Sequence, residues 1–184
     1  MTGDILNDGV VTLRPSAPED SSLIIAARDD EFRRFIGQGS EVPAPEYVIV
    51  VGGSVVGWVD HDRDNDRWWL APEEVNIGYH VFPKNRGLGH ATRAVRLMLE
   101  HLRADTDWEI AALLIHPDNT ASLKVAERNG FKRASDVEER TFWRRRVRET
   151  SSAATLAFGR GGCDRSAIVA AGRAMSVDSA ERGS

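Results

Sequence analysis

The run Val81-Phe82-Pro83-Lys84-Asn85-Arg86-Gly87-Leu88-Gly89-His90-Ala91-Thr92 stands where a strand-like pattern gives way to a helical one. Small residues at 87, 89 and 91 let the backbone turn tightly, so that unpaired N–H groups at the start of the following helix can surround an anion. The helix dipole adds to that attraction, which makes the run a candidate phosphate or pyrophosphate cradle. It is neither of the common nucleotide loops: a Walker A loop ends in Gly-Lys-Ser/Thr, and the dinucleotide fingerprint needs glycine where Thr92 stands. A second group is Asp60, Asp62, Asp64 and Asp66, followed by Trp68 and Trp69. Such acids attract a cationic amine that an indole can support by a cation–π contact, unless the Trp pair plugs the core beside a solvated turn. The run lacks the glycine and terminal glutamate of a calcium loop. No pair of histidines has metal-ligand spacing, and no metal is expected. Among them, His90 is expected to point from its loop to solvent, His80 to line or pack the cleft, and His116, just before Pro117, to have a structural role or else to assist substrate orientation.

These groups are placed by a legible order of elements. Val10 to Arg14 reads as an opening strand, and Ser16 with Glu19 has the spacing of a capping box for one helix or two short ones over about 18–36. Gly37 to Glu46 is loop. Tyr47 to Val51 and Val55 to His61 are strands joined by Gly52-Gly53-Ser54, a hairpin signal. Arg67 to Leu70 is a possible strand start. In Glu74 to Val81, Val75, Ile77, Tyr79 and Val81 alternate with Glu74, Asn76, Gly78 and His80. After Pro83 the period becomes helical, with Ala91, Ala94, Val95, Met98, Leu99 and Leu102 along one side. Ile110 to Ile115 is wholly apolar, as a strand covered on both faces is. Asn119 to Asn129 reads as a helix closed by Gly130, and Phe131 to Ser135 and Arg140 to Val147 complete the sheet. The fold class is α+β, with helices packed on a mostly antiparallel sheet.

Arg86-Gly87-Leu88-Gly89-His90-Ala91 resembles the acetyl-CoA loop of the GNAT superfamily of N-acetyltransferases, Arg/Gln-x-x-Gly-x-Gly/Ala. Leu13-Arg14-Pro15 with Asp20, and Ile77-Gly78-Tyr79 with Pro83, are similar to other elements of that family. His116-Pro117-Asp118-Asn119-Thr120-Ala121-Ser122, continuing to Asn129-Gly130-Phe131, resembles the branch that acetylates N-termini of ribosomal proteins and related amines. The matches cover about residues 10–147. The resemblance implies the GNAT fold: a central mixed sheet, splayed between its fourth and fifth strands (here Glu74 to Val81 and Ile110 to Ile115), with helices on both faces. It implies that pantetheine pairs with the backbone of His80, Val81 and Phe82, and that a backbone N–H near Val81 polarises the thioester carbonyl. The pyrophosphate would lie on Arg86, Gly87, Leu88, Gly89, His90, Ala91 and Thr92. Asn119 would bond the pantetheine arm, and Ser122 would protonate the leaving thiolate.

Many relatives carry Glu just before Ile-Gly-Tyr, where this chain has Asn76, and an amide cannot accept a proton. Glu74, two residues earlier on the same strand face, is then the nearest carboxylate and the candidate base. The implied activity is acetyl-CoA-dependent N-acetylation of a primary amine, either a protein N-terminus or a small amine. A coenzyme-binding sensor without catalysis and a transferase using another acyl-CoA are the alternatives.

Composition bounds these readings. The 184 residues carry 24 Lys and Arg against 28 Asp and Glu, so the overall field does not favour nucleic acid. The run Arg144, Arg145, Arg146 and Arg148 is expected to be a solvated strand edge. No apolar stretch approaches the length of a membrane span, no secretory pattern opens the chain, and the single Cys163 suits a reducing compartment. The cytoplasm is the expected location, with the chain a monomer or homodimer. Residues 9–149 are expected to form the acetyltransferase domain, and 150–184, rich in Ala, Ser and Gly, a disordered tail.

Overall fold

Alternation in the strands and a helical period after Pro83 are both realised in the computed structural model, which describes residues 5–62 and 69–148. The expected tail at 150–184, and Trp68 with Asp64 and Asp66, lie outside those residues. Strands β1 (Leu6–Asn7), β2 (Thr12–Pro15), β3 (Tyr47–Val51), β4 (Ser54–Asp62), β5 (Glu74–Val81), β6 (Ile110–Ile115), β7 (Lys132–Val137) and β8 (Arg140–Arg146) build one sheet in the order β1-β2-β3-β4-β5-β6-β8-β7. Helices α1 (Asp20–Ala26) and α2 (Asp30–Phe35) follow β2, α3 (His90–Asp105) joins β5 to β6, and α4 (Thr120–Arg128) precedes β7.

Every pairing is antiparallel except β5 with β6. That parallel pair holds only at Glu74↔Ile110, Val75↔Ala111 and Asn76↔Ala112. Beyond Asn76 the strands part, and the open ladder edge between Ile77–Val81 and Leu113–Ile115 is the gap on which the site is built. One sheet face carries Tyr47, Ile49, Val59, Val75, Ile77 and Val81, closed by Ala94, Val95, Met98, Leu99 and Leu102 of α3. Each large aliphatic side chain so buried contributes about 1.5–3 kcal/mol. The opposite face carries Trp58, Asp60, Asp62, Asn76, Gly78 and His80, as the register Trp58↔His80, Asp60↔Gly78, Asp62↔Asn76 requires. A smaller apolar group of Leu70, Ala112 and Phe142 lies beside it, with Trp69 edge-on to Phe142 at 5.2 Å.

Four local expectations are corrected. Ser16 and Glu19 form no capping box: Ser16 Oγ bonds the Pro45 carbonyl, and the Asp20 carboxylate instead accepts from Ala17 N–H at 2.8 Å. Trp69 and Leu70 lie in a turn rather than a strand, because Trp69 closes the core over Phe142. The arginine run is not a sheet edge. Its strand, β8, lies between β6 and β7, and the arginines reach partners: Arg144 pairs with Glu74, Arg145 bonds the Asn129 carbonyl, and Arg146 and Arg148 pair with Glu109 and Asp107. His90 is the first residue of α3 and is buried rather than solvent-facing.

Candidate active site

At the end of β5 the chain makes a short 3-10 turn over Pro83–Asn85 and enters α3 through Gly87 and Gly89. Both glycines have positive φ, +78° and +82°, and a Cβ at either would meet no atom within 4 Å. Side chains are therefore excluded by conformation rather than crowding, and the space before the helix stays open. Gly89 caps α3 without any side-chain bond, which leaves the first-turn N–H groups of a sixteen-residue helix directed at that space. Asn129 fixes the cradle from behind: buried at the end of α4, it donates from Nδ2 to Thr92 O (3.2 Å) and Val125 O (3.0 Å).

A cavity of about 770 Å³ runs from this cradle along the gap and out over the other sheet face. Of the sequence-predicted residues, His80, Val81, Arg86, Gly87, Gly89, His90, Ala91, Thr92, Asn119 and Ser122 line it, whereas Phe82, Leu88 and Glu74 do not. Phe82 N–H is taken by Val56 O at 2.8 Å; because backbone groups alternate along a strand, Val81 N–H is turned into the gap. Gly57 makes this register possible, since a Cβ there would collide with the His80 carbonyl. Leu88 is exposed.

Glu74 is occupied elsewhere. Its buried carboxylate pairs with Arg144 (2.5 Å and 3.1 Å) and accepts from Ala71 N–H at 2.9 Å. Arg86 turns its side chain back from the cradle: Nη1 and Nη2 meet Asp29 at 2.7 and 3.0 Å, Nη1 meets Glu31 at 3.0 Å, and Nε donates to Val81 O at 3.1 Å. Asp29 also caps α2 by accepting from Phe32 N–H, so one guanidinium ties α2 to the end of β5. That partnership holds the Asp29 carboxyl down at about 2. Arg86 Nη2 lies 3.1 Å from His80 Nε2; a guanidinium only donates, so Nε2 accepts and His80 carries its proton on Nδ1. Burial, then the Arg86 charge, lowers His80 to about 4, and Phe32 packs edge-on at 4.8 Å.

Across the gap, Asn119 caps α4 by accepting Ser122 N–H at 3.0 Å, which sets Ser122 one turn in. Beside the Ser122 side chain lies the Tyr79 phenol, a residue that motif reading missed. Its hydroxyl is buried without reaching hydrogen-bond geometry to any described group, and burial pushes it up to about 12 against the opposing effect of Ser122. Also missed were Lys124 and Arg128 of α4, Glu31, which pairs with Arg86, and Trp58, whereas Asp60 and Asp62 line the cavity as members of the acidic group that the sequence offered for a cationic amine. The i,i+4 spacing of Lys124 and Arg128 after an Asn cap was the available signal. Lys124 and Arg128 thus bring positive charge from α4, and Asp60 and Asp62 bring negative charge from β4, with Arg86 and Arg140 also in the lining.

The model of the acetyltransferase (GNAT) domain matches residues 11–132. The chain belongs to the GNAT acetyltransferase family. It is accordingly an acyltransferase, and solved structures share its fold. A GNAT-family acetyltransferase from Bacillus anthracis superposes with a TM-score of 0.67 at 16% identity, over 79% of this chain and 100% of that one. The aminoglycoside acetyltransferase AAC(6')-Ib in complex with coenzyme A gives 0.65 at 19%, over 74% and 94%. RimJ from Mycobacterium smegmatis, in complex with a CoA disulfide, gives 0.57 at 19%, over 78% and 87%. No curated protein matches the chain. Within the GNAT domain, the splayed β5–β6 gap agrees with the architecture that the sequence resemblance implied, as does the mixed, mostly antiparallel sheet. No helix among the described residues is long and apolar enough to cross a membrane.

Proposed function

We propose that this GNAT domain transfers the acetyl group of acetyl-CoA to a primary amine that carries more than one positive charge. The observation that carries the reading is the distribution of charge along the cavity lining: Lys124, Arg128 and the α3 N-terminus on one part, Asp60 and Asp62 beside Trp58 on the β4 wall. The first part suits the phosphates of the coenzyme, and the open, side-chain-free space at Gly87 and Gly89 fits a pyrophosphate. The second suits an ammonium group, with Trp58 able to cover a cation.

The ammonium group first gives one proton to a carboxylate; the neutral nitrogen then attacks the thioester carbonyl carbon, a C–N bond forms, the C–S bond breaks, and the nitrogen gives up a second proton as the sulfur gains one. Val81 N–H, turned into the gap, stabilises the charge that develops on the carbonyl oxygen. Ser122 supplies the proton to the thiolate, and Tyr79, held protonated by its raised pKa, stands behind to replenish it. We assign the proton acceptor to Asp60 and Asp62 rather than Glu74. Asp62 lies across the ladder from Asn76, so the carboxylate absent from β5 is supplied from β4 on the same face. His80, with Nε2 occupied by Arg86, positions that wall and does not take the proton. The acid–base roles are each expected to contribute about 10²–10⁴-fold to the rate.

Calorimetric titration with acetyl-CoA, followed by a thiol-release assay over polyamines, aminoglycosides and N-terminal peptides, tests the reading. One-to-one binding is expected, with release fastest for polycationic small amines. Gly89→Asp should abolish binding by placing charge and bulk in the cradle. Failure of acetyl-CoA to bind overturns the donor assignment, and preference for N-terminal peptides with no positive charge beyond the α-amino group overturns the acceptor class.

A further inference from the structure

On the sheet face covered by α3, away from the cavity, three side chains distant in sequence converge. Glu46 immediately precedes β3, His61 lies near the end of β4, and His101 stands on α3. One ligand atom of each lies within 4.8 Å of the other two. His61 Nδ1 is 2.5 Å from Glu46 Oε2, and His101 Nε2 is 3.8 Å from Glu46 Oε1. Both histidines are largely buried; Glu46 is about one-third exposed, with a side-chain exposure of 35%, so the cluster is open to solvent on one side only.

Two details point to a ligand rather than to an ion-pair network alone. His61 Nδ1 is a buried atom that makes no properly directed hydrogen bond despite its closeness to Glu46. His101 Nδ1 faces the Asp105 carboxylate at 3.1 Å, which fixes the proton on Nδ1 and aims the lone pair of Nε2 at the cluster. This carboxylate–histidine arrangement is the usual outer support of a metal-bound imidazole. The Tyr47 ring, 5.7 Å from His101 and edge-on, holds the imidazole in place.

We propose that Glu46, His61 and His101 bind a zinc-class divalent cation, with Asp105 orienting His101. Two imidazoles and one carboxylate form a borderline donor set that favours Zn²⁺ over the oxygen-preferring Mg²⁺ and Ca²⁺. Ligands about 2.0 Å from a tetrahedral ion stand roughly 3.3 Å apart. The three candidate ligand atoms, which lie within 4.8 Å of one another, therefore need shifts of at most roughly 1.5 Å to reach that spacing. Bound there, the ion would pin the end of β4 to the last turn of α3. Its role is structural, since none of the three residues lines the catalytic cavity. The sequence hid this site because His61 and His101 are 40 positions apart and meet only when α3 packs on the sheet.

The test uses the full chain with Cys163→Ser, so that its one thiol cannot be the ligand. After chelator treatment, Zn²⁺ is titrated by calorimetry, Co²⁺ binding is followed by visible absorption, and the melting temperature is read with and without Zn²⁺. One-to-one Zn²⁺ binding and the intense visible bands of four-coordinate cobalt are expected. His61→Asn or His101→Gln should weaken Zn²⁺ binding by at least about 100-fold, and Asp105→Asn by about 10–100-fold, with circular dichroism checking that each variant folds. Absence of Zn²⁺ binding by the parent chain overturns the proposal, as does unchanged affinity in a folded His61→Asn, His101→Gln double variant. Should the variants not fold, cobalt in the parent chain decides: the weak bands of the six-coordinate aquo ion overturn the site.

Discussion

Two hydroxyls that sequence motifs treat unequally face each other across the gap. Ser122 belongs to a recognisable block with Asn119, and its position one turn into α4 follows from the cap. Tyr79 reads as one more apolar member of an alternating strand, and its hydroxyl acquires meaning only once α4 is packed against it. The pair separates catalysis from binding. Ser122→Ala is expected to lower kcat about 100-fold while leaving acetyl-CoA affinity within about twofold. Tyr79→Phe, which removes the reserve proton donor, should lower kcat by a smaller factor and leave affinity unchanged. Stopped-flow turnover beside calorimetric affinity checks both, and a rate unaffected by Ser122→Ala would make that residue structural. The cradle itself was legible because its residues are contiguous and its two left-handed turns fall on Gly87 and Gly89. The destination of the Arg86 side chain was not, since Asp29 and Glu31 approach it from a helix more than fifty positions earlier.

At the scale of elements, alternation and helical period placed most strands and both long helices, because each pattern records which face the element buries. Pairing order was less legible. The arginines of β8 suited an exposed edge by composition, yet β7 takes the edge and Arg144 closes over Glu74. No local signal joins these two residues, which are 70 positions apart in the chain. The consequence is measurable. Glu74→Gln leaves Arg144 facing a neutral amide in a buried setting, and breaking such a pair costs about 3 kcal/mol, toward the low end of the range because Arg144 is partly exposed. The expected fall in Tm is roughly 5–10 °C, measured by calorimetry, with kcat in the folded protein unchanged. A loss of kcat without loss of Tm would return Glu74 to the catalytic machinery. Asp62 reaches the acceptor wall in the converse way: its own sequence context is an acidic turn, and only the β4–β5 register sets it opposite Asn76.

The whole molecule carries a proton balance set by the same clamp that joins α2 to β5. His80 takes a proton near 6.5 in the unfolded chain but at about 4 in the folded one, because burial and the neighbouring Arg86 disfavour its charged form. Between those values the unfolded state binds more protons. Folding stability is therefore full above about 6.5 and falls as the pH drops toward 4, by at most roughly 1.4 kcal/mol per pH unit from this one group. Asp29 acts in the next window. Its bond to Arg86 lowers it from 3.8 to about 2, so the stability it contributes is present above 3.8 and is lost between there and 2. Urea unfolding from neutral pH down to about pH 3 should show a decline in two stages. In His80→Gln, whose amide oxygen can still accept from Arg86, the first stage should flatten while the second persists. An undiminished slope between pH 6.5 and 4 in that variant would mean that His80 keeps its ordinary basicity in the fold. The imidazole would then stand protonated beside Arg86 in mild acid, and the acceptor wall would lose its attraction for a cationic amine in the same range.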